Sequence, residues 1–452
     1  MRQIEPLLES GNVSAVRNML CERRSSDIAE VVELVDNDYR RVIFNALDKP
    51  TSALVLEKVD EATRAELFEL LDDEEISSLV LHLDADDAAD VIAELPEDEQ
   101  LELLESIPPD ESAEIRELLE YSEDSAGGIM DPLVISVRED ATVAEAVAKI
   151  RSSEIDEDFF FVFVVDQDDT YIGYVRVKFL LTRPEGARIR DLVERDTIWV
   201  STDTDQEEVK NIFSKNDLIV MPVVDSVHKL VGRITADRII EVAEEEAAED
   251  LYAMAGTDAD ELDNFSAVHA ARVRMTWLLP CLVGTGVTAV VLMLFKDLFD
   301  VEGLSLVYAA AFAFVPMIAA ISGNAGLQTS AIVVSGLATG HLVALRLGQV
   351  FAREVRIAVL VAVSCGVVGG LACAFLLHMK GQAGNLELLR LVLAFGTAMF
   401  SAIMVATTLG LFLPFLFRRI GIDPAISSGP LVTTANDSIS VAIYMSLTLL
   451  LV

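Results

Sequence analysis

Long apolar runs fill the last third of the chain, at about 275–296, 304–321 continuing past a break to 338, 355–378, 388–417 and 429–452. Each can cross a hydrocarbon core about 30 Å thick, so five membrane helices are expected. Upstream the pattern shortens. Residues 60–119 divide into five twelve-residue units, from DEATRAELFELL to PPDESAEIRELL, each opening on Asp or Pro and closing on an aliphatic residue. Asp at an N-cap and Pro in a first turn start helices, so a superhelix of short helices is expected. Pro96 and Pro108 argue against one long helix. A second repeat covers roughly 129–245, where strand, helix, two strands and helix occur twice. Asp166 and Gly173 in the first copy match Asp225 and Gly232 in the second.

Charge separates the same halves. The chain carries −40 overall, but residues 1–271 hold −43 and the remainder +3. Such an acidic half repels nucleic acid and attracts cations, although an acidic solvated surface gives the same composition. Cys21, Cys281, Cys365 and Cys373 show no paired or metal-ligand spacing and read as packing residues. The opening residues are amphipathic, so no signal peptide is expected. With the acidic half in the cytosol, the inner ends of five spans carry Arg272, Arg274, Arg346, Arg353, Arg356, Arg418 and Arg419. The outer ends carry only Lys296, Lys380 and Arg390. That asymmetry places the C-terminus outside.

Asp437 is the candidate for chemistry. It lies eight residues into the last run, roughly 12 Å along a helix, near the membrane midplane, and reads as the one carboxylate at that depth. Thr433, Asp437, Ser440 and Tyr444 would form one polar stripe at helical spacing. In VPMIAAISGNAGLQTSA, Pro316, Gly323 and Gly326 surround Asn324 and Gln328. That clustering suggests backbone facing a water-filled path, with interhelical hydrogen bonding of the two amides as the alternative.

The 129–245 repeat resembles a tandem pair of CBS (cystathionine β-synthase) domains. VPMIAAISGNAGLQTSA, DPAISSGPLVTTANDSISVAIY and SAGGIMDP, with the order of the segments, resemble the MgtE family of magnesium channels. The implied fold is multidomain: an all-α N-terminal superhelix (1–128), an α/β CBS pair (129–190 and 191–245), a long linking helix (246–270) and an all-α five-helix transmembrane domain (271–452). The resemblance implies a homodimer in the plasma membrane, a non-enzyme that passes Mg2+ between protomers. Asp437 would face its twin across the pore, with Gly323, Asn324, Gly326, Gln328, Pro430, Thr433, Thr434 and Asn436 around the hydrated ion. A gradient-coupled transporter exchanging Na+ or H+ for Mg2+ or another divalent cation is the alternative. An intramembrane aspartyl protease would need a second catalytic Asp at membrane depth, and none is read there.

The resemblance also implies regulatory Mg2+ in the cytosol. Matching positions are Asp86, Asp87 and Asp90 in the superhelix, Asp205, Glu207 and Asp217 in the second CBS copy, and Glu241, Glu246, Glu249 and Asp250 leading into the linking helix. Arg238 stands where related chains carry an acid, which weakens one such site, and Lys296 where they often carry Glu. CBS modules that bind adenine nucleotides place Thr or Ser three residues before an Asp. Here Arg176 and Phe179 replace that pair in the first copy. Thr235 is followed by Arg238 in the second, with Asp237 one place off, which disfavours ATP without excluding it.

Overall fold

The computed structural model describes residues 7–8, 13–21, 23–153, 159–258, 267–302, 304–339, 347–379, 385–427 and 429–451. The chain forms two compact units, Met1–Glu245 and Glu246–Val452. The first begins with short helices α1 (Val13–Leu20), α2 (Ser25–Glu33), α3 (Asn37–Ala46), α4 (Lys49–Lys58), α5 (Glu61–Leu70), α6 (Asp73–Val80), α7 (Ala85–Ala93), α8 (Glu97–Ser106) and α9 (Pro109–Leu118). Each starts twelve residues after the one before, so the period expected over 60–119 extends back to residue 13.

Caps set that period. Asp48 accepts from Thr51 N at 3.1 Å and Asp60 from Thr63 N at 2.6 Å, while Asp72 and Glu75 form a capping box. Polar side chains at the fourth helical position then tie successive helices. Arg40 Nε donates to Val32 O, Arg64 Nε to Leu56 O and Ser112 Oγ to Leu104 O, each at 2.8–2.9 Å. Carbonyls left without partners at one helix end are thereby satisfied from the next repeat. Arg64 also reaches Glu57 O and Val59 O and pairs with Glu94.

Two small mixed sheets follow. In the first, β1 (Ser136–Arg138) runs parallel to β2 (Phe161–Val165), which pairs antiparallel with β3 (Tyr171–Arg176). In the second, β4 (Val200–Ser201), β5 (Val220–Val224) and β6 (Leu230–Thr235) repeat that order. Helices α10 (Val143–Ser152), α11 (Val177–Thr182) and α12 (Gln206–Lys215) complete the copies. Gly173 pairs with Val164 and Gly232 with Val223, so the matched glycines hold matching registers. Asp166 and Asp225 close the equivalent hairpins by accepting backbone N–H groups two and four residues on.

The SAGG segment crosses to the second copy, with Ala126 N donating to Thr204 O and Gly127 N to Thr202 O. A Cβ on Gly128 would lie 2.3 Å from Ser122 O, which only glycine avoids. One apolar core runs from the superhelix into the second copy, joining residues such as Val91 and Ile92 to Ile239 and Val242. The helix carrying Ile239, α13 (Ala236–Ala255), runs unbroken from the last strand, ten residues ahead of the expected linking-helix start. It ends at Gly256 in the left-handed region (φ +78°). The expected continuation through 259–266 lies outside the described residues.

Five helices of the described residues are long and apolar enough to cross a membrane. They are α14 (Ala267–Val301), the pair α15 (Ser305–Phe312) and α16 (Val315–Ala338), α17 (Leu347–Met379), α18 (Asn385–Arg419) and α19 (Pro430–Leu451). The break in the second span falls at Ala313–Phe314, ahead of Pro316, and α16 continues through Gly323 and Gly326. α17 begins eight residues before its apolar run. Its span, Gly348–Leu376, therefore includes Glu354. Arg346 and Lys380 lie outside the described residues.

Candidate ion path and cytosolic acidic contacts

Thr433, Asp437, Ser440 and Tyr444 keep the helical spacing of one stripe on α19, of which Ser440 and Tyr444 are hydrogen-bonded to the second span and Asp437 is not. Asn436, Ser440, Tyr444 and Thr448 recur every four residues, all buried. Asn436 Nδ2 donates to Ser322 Oγ at 2.8 Å and its Oδ1 accepts from Ser440 Oγ at 2.8 Å. Tyr444 OH donates to Ala311 O at 3.1 Å. This ladder joins α19 to the second span, and Asn436 Nδ2 lies beside Asp437, 3.8 Å from where a Cβ on Gly323 would stand.

Thr433, Thr434 and Asp437 are half-buried. Asp437 has no hydrogen bond or ion pair among the described residues. A Cβ on Gly323 would stand 3.9 Å from Asp437 Oδ1 and 3.8 Å from Thr433 Cγ2, which locates Asp437 against α16. Thr433 and Thr434 donate to Pro430 O at 3.0 and 2.6 Å, so the carbonyl near that proline is taken by its own helix.

Gly326 differs from Gly323. A Cβ there would come 3.0 Å from Ala406 O and 3.1 Å from Val432 Cγ1, so Gly326 permits close helix packing and exposes no backbone to a water path. Asn324 and Gln328 are exposed on the protomer surface. Two further contacts, absent from the sequence reading, fix the N-terminal end of α19. A Cβ on Gly429 would lie 2.3 Å from Met254 O, and one on Gly256 would lie 2.7 Å from Pro430 Cγ. The end of α13 thus touches the start of α19 about two turns from Asp437.

In the first unit, α7 presents Asp86, Asp87 and Asp90. Burial, then the neighbouring Asp131 and Asp87, push Asp86 up to about 8. Burial, then Glu57, Asp84 and Asp90, push Asp87 up to about 7. Asp90 is also raised by burial, opposed by Arg238. Arg238 Nη2 lies 2.8 Å from Asp90 Oδ2 and its Nη1 3.2 Å from Glu241 Oε2. The departure at Arg238 therefore supplies a cation between superhelix and second CBS copy. Asp205 caps α12, accepting from Glu207 N at 2.9 Å, and Asp217 sits in a turn at φ +50°. Glu246, Glu249 and Asp250 follow Glu241 along α13. Among the described residues no three His, Cys, Asp or Glu converge closely enough to hold a metal ion. The expected regulatory ligands thus do not form a finished cage in this protomer.

A cleft of about 400 Å³ in the CBS pair is lined by Phe159, Phe161, Ile219, Val220, Thr235 and Asp237. Arg176, on the adjoining wall, pairs with Glu194 at 3.0 Å.

Comparison with known proteins decides the family. The family described as a divalent cation transporter, MgtE, matches residues 315–447, its intracellular N domain matches 23–124, and CBS domains match 126–178 and 189–245. The magnesium transporter MgtE of Thermus thermophilus is 34% identical over 337 residues, covering 74% of this chain and 71% of the relative. The chain belongs to the MgtE family. The Bacillus subtilis magnesium transporter MgtE is 30% identical over 331 residues, covering 73% of this chain and 70% of that protein. The cytosolic domain of the Mg2+ channel MgtE, crystallised in complex with ATP, superposes with TM-score 0.50 at 30% identity, covering 53% of this chain and 98% of that structure. As an MgtE-family member the chain is a multi-pass membrane transporter with an intracellular N domain, and the family is not an enzyme family.

Proposed function

We propose that the chain is a homodimeric Mg2+ channel in which Asp437 faces its counterpart and holds the hydrated ion. The observation that carries this reading is Asp437 itself. It is a half-buried carboxylate in the last apolar helix, against Gly323, with no basic side chain paired to it among the described residues. A carboxylate left uncompensated inside a membrane is expected on an ion path. Mg2+ dehydrates reluctantly, so a wide site that grips it through water suits two carboxylates supplied by two protomers. Replacing Asp437 with Ala is expected to abolish Mg2+ uptake in cells lacking other Mg2+ systems, with the protein still assembled. Unimpaired growth would overturn the assignment.

Gating by cytosolic Mg2+ fits the acidic first unit and the contact of α13 with Gly429 and Pro430. Divalent ions that draw the carboxylates of α7 and α13 together would bias that helix, and the affinity difference between open and closed arrangements is the switch. At the Asp90–Glu241 contact the side chain of Arg238 takes over the bridging role, so fewer ions are required there. Orientation follows the flanking arginines, with the N-terminus inside and the C-terminus outside. The related cytosolic domain was crystallised with ATP. In this chain Arg176, Phe179 and Arg238 stand at the nucleotide positions, and calorimetry is expected to give ATP binding no tighter than millimolar.

Coupled exchange remains a second reading because Glu354 adds a carboxylate inside a span. Membrane voltage supplies about 2.3 kcal/mol per charge per 100 mV, enough to drive divalent uptake without coupling. Uptake into liposomes that follows voltage and ignores Na+ and proton gradients would support the channel. Dependence on either gradient would favour exchange.

A further inference from the structure

The channel reading gives Glu354 no role. It is 2% exposed, its Oε1 has no hydrogen-bond partner, and it forms no ion pair among the described residues. Its neighbours Arg353 and Arg356 line a separate hollow with Gln349 and Leu360 and leave it uncompensated. Ser330 on α16 is fully buried, and its Oγ also lacks a partner.

The helix directions bring these orphans into one layer. Val333 and Leu337 of α16, Val350 of α17, and Leu411 and Phe415 of α18 form one apolar cluster. In the five-span orientation, one turn outward from that cluster lies Ser330 on α16, Glu354 on α17 and Thr407 on α18, all buried. Gly410 adjoins the same layer, since a Cβ on it would come 3.2 Å from Ser330 N. Pro414 lies inside α18 and has no N–H for the carbonyl of Gly410. Oxygen atoms on three helices therefore share one level of the bundle with a carboxylate that no cation neutralises among the described residues.

We propose that Glu354, Ser330 and the freed Gly410 carbonyl bind a largely dehydrated monovalent cation of the size of Na+, at a site separate from Asp437. One carboxylate and one monovalent cation leave the buried layer neutral. A divalent ion would leave a surplus positive charge in a low-dielectric setting. Mg2+ would also need octahedral oxygens and retained waters, whereas the backbones here nearly touch: a Cβ on Gly410 would lie 2.2 Å from Gly326 O. The proposal rests on the five-span reading of this unit and not on the role given to Asp437.

The test uses the full chain in lipid nanodiscs without divalent ions, comparing thermal unfolding in NaCl with N-methylglucamine chloride at equal ionic strength. A ligand bound only by the folded state raises Tm in a concentration-dependent manner. Na+ is expected to raise Tm saturably in the wild type and in Asp437→Asn, and Glu354→Gln is expected to remove the Na+-specific part. Ser330→Ala should move the half-saturating Na+ concentration up several-fold. Equal Tm in both salts would mean that the carboxyl carries a proton or water alone, and would overturn the proposal. So would a Na+ shift that survives Glu354→Gln or disappears in Asp437→Asn. If Glu354→Gln fails to fold, the wild-type salt comparison and Asp437→Asn still decide. Loss of uptake in Asp437→Asn with the Na+ shift intact separates this site from the pore assignment.

Discussion

Asp437 and Asp90 are both half-buried carboxylates, one in the membrane unit and one in the cytosolic unit, and the protein treats them oppositely. Asp90 meets a guanidinium at 2.8 Å, whereas Asp437 stands against Gly323 beside Asn436 and Thr433, whose hydroxyl is spent on Pro430 O. The cytosolic unit neutralises its buried acid with its own side chain, which holds two domains together. The membrane unit surrounds its acid with small and neutral groups and satisfies everything nearby, including Asn436, within the helix bundle. A carboxylate compensated by protein belongs to architecture. One that no described residue compensates is available to an ion from outside.

The sharpest way to break this contrast is to remove the charge at Asp437 while keeping its shape. Asp437→Asn should reduce Mg2+ uptake to the level of cells without the protein, with normal assembly by size-exclusion chromatography. Residual uptake near the wild-type rate would show that the uncompensated charge is incidental. Asn436→Ala, one residue away, should act through the fold. It removes the buried hydrogen bonds with Ser322 and Ser440, about 1–3 kcal/mol together, and should lower Tm with transport loss only in proportion to unfolded protein. If Asn436→Ala abolished transport at unchanged Tm, Asn436 would act on the ion with Asp437.

Two glycines sharpen the same division at smaller magnitude. Gly326→Ala must displace Ala406 O or Val432, an overpacking of about 1–3 kcal/mol, measurable as reduced thermal stability. Gly323→Ala meets only ordinary van der Waals distances and should leave Tm within the small range of neutral substitutions, while placing a methyl beside Asp437 and changing conductance. On the cytosolic side, Arg238→Ala should convert Asp90 into the unpaired kind. The pair is partly exposed, so the loss is about 1 kcal/mol, roughly five-fold in hydrogen-exchange protection of α7 without divalent ions. Added Mg2+ should restore that protection. No change on removing Arg238 would mean that the apolar core alone holds the domains.

Much of this arrangement was legible in the sequence, for identifiable reasons. The five spans, the doubled sheet unit and the twelve-residue helices each follow from a period and its punctuation. The helical period reached back only to residue 60 because α2 is preceded by Arg24 instead of an acid; Asp36 and Asp48 carried the same signal earlier. Spacing could not tell which members of the α19 stripe are hydrogen-bonded within the protomer. Ser440 and Tyr444 share it with Asp437, but their buried partners Ser322 and Ala311 lie more than a hundred residues away. Glu354 was missed because hydropathy starts the third run at Val355. The flanking Arg353 and Arg356 turn outward and leave the glutamate buried. Domain docking through Arg238 was visible only as a departure from the family pattern, since its partner is 148 residues distant.

The last expected effect concerns protons, and its sign tests whether α7 is built for added cations. Asp86 and Asp87 are raised to about 8 and about 7, above the ordinary carboxylate range, chiefly by burial. The folded unit therefore retains protons that the unfolded chain gives up near pH 4. Stability associated with these groups is fully present below that ordinary value and is lost as pH rises through 7 to 8, where like charges accumulate around Glu57, Asp84 and Asp131. Tm of the full chain without divalent ions should fall between pH 6 and pH 8.5. Mg2+ should recover more of it at the higher pH, where the cation replaces the lost protons. Asp86→Asn combined with Asp87→Asn should flatten both the pH dependence and the Mg2+ recovery. A double variant that kept the wild-type slope would place the titration on other groups. Asp90, already held by Arg238, should contribute little to either.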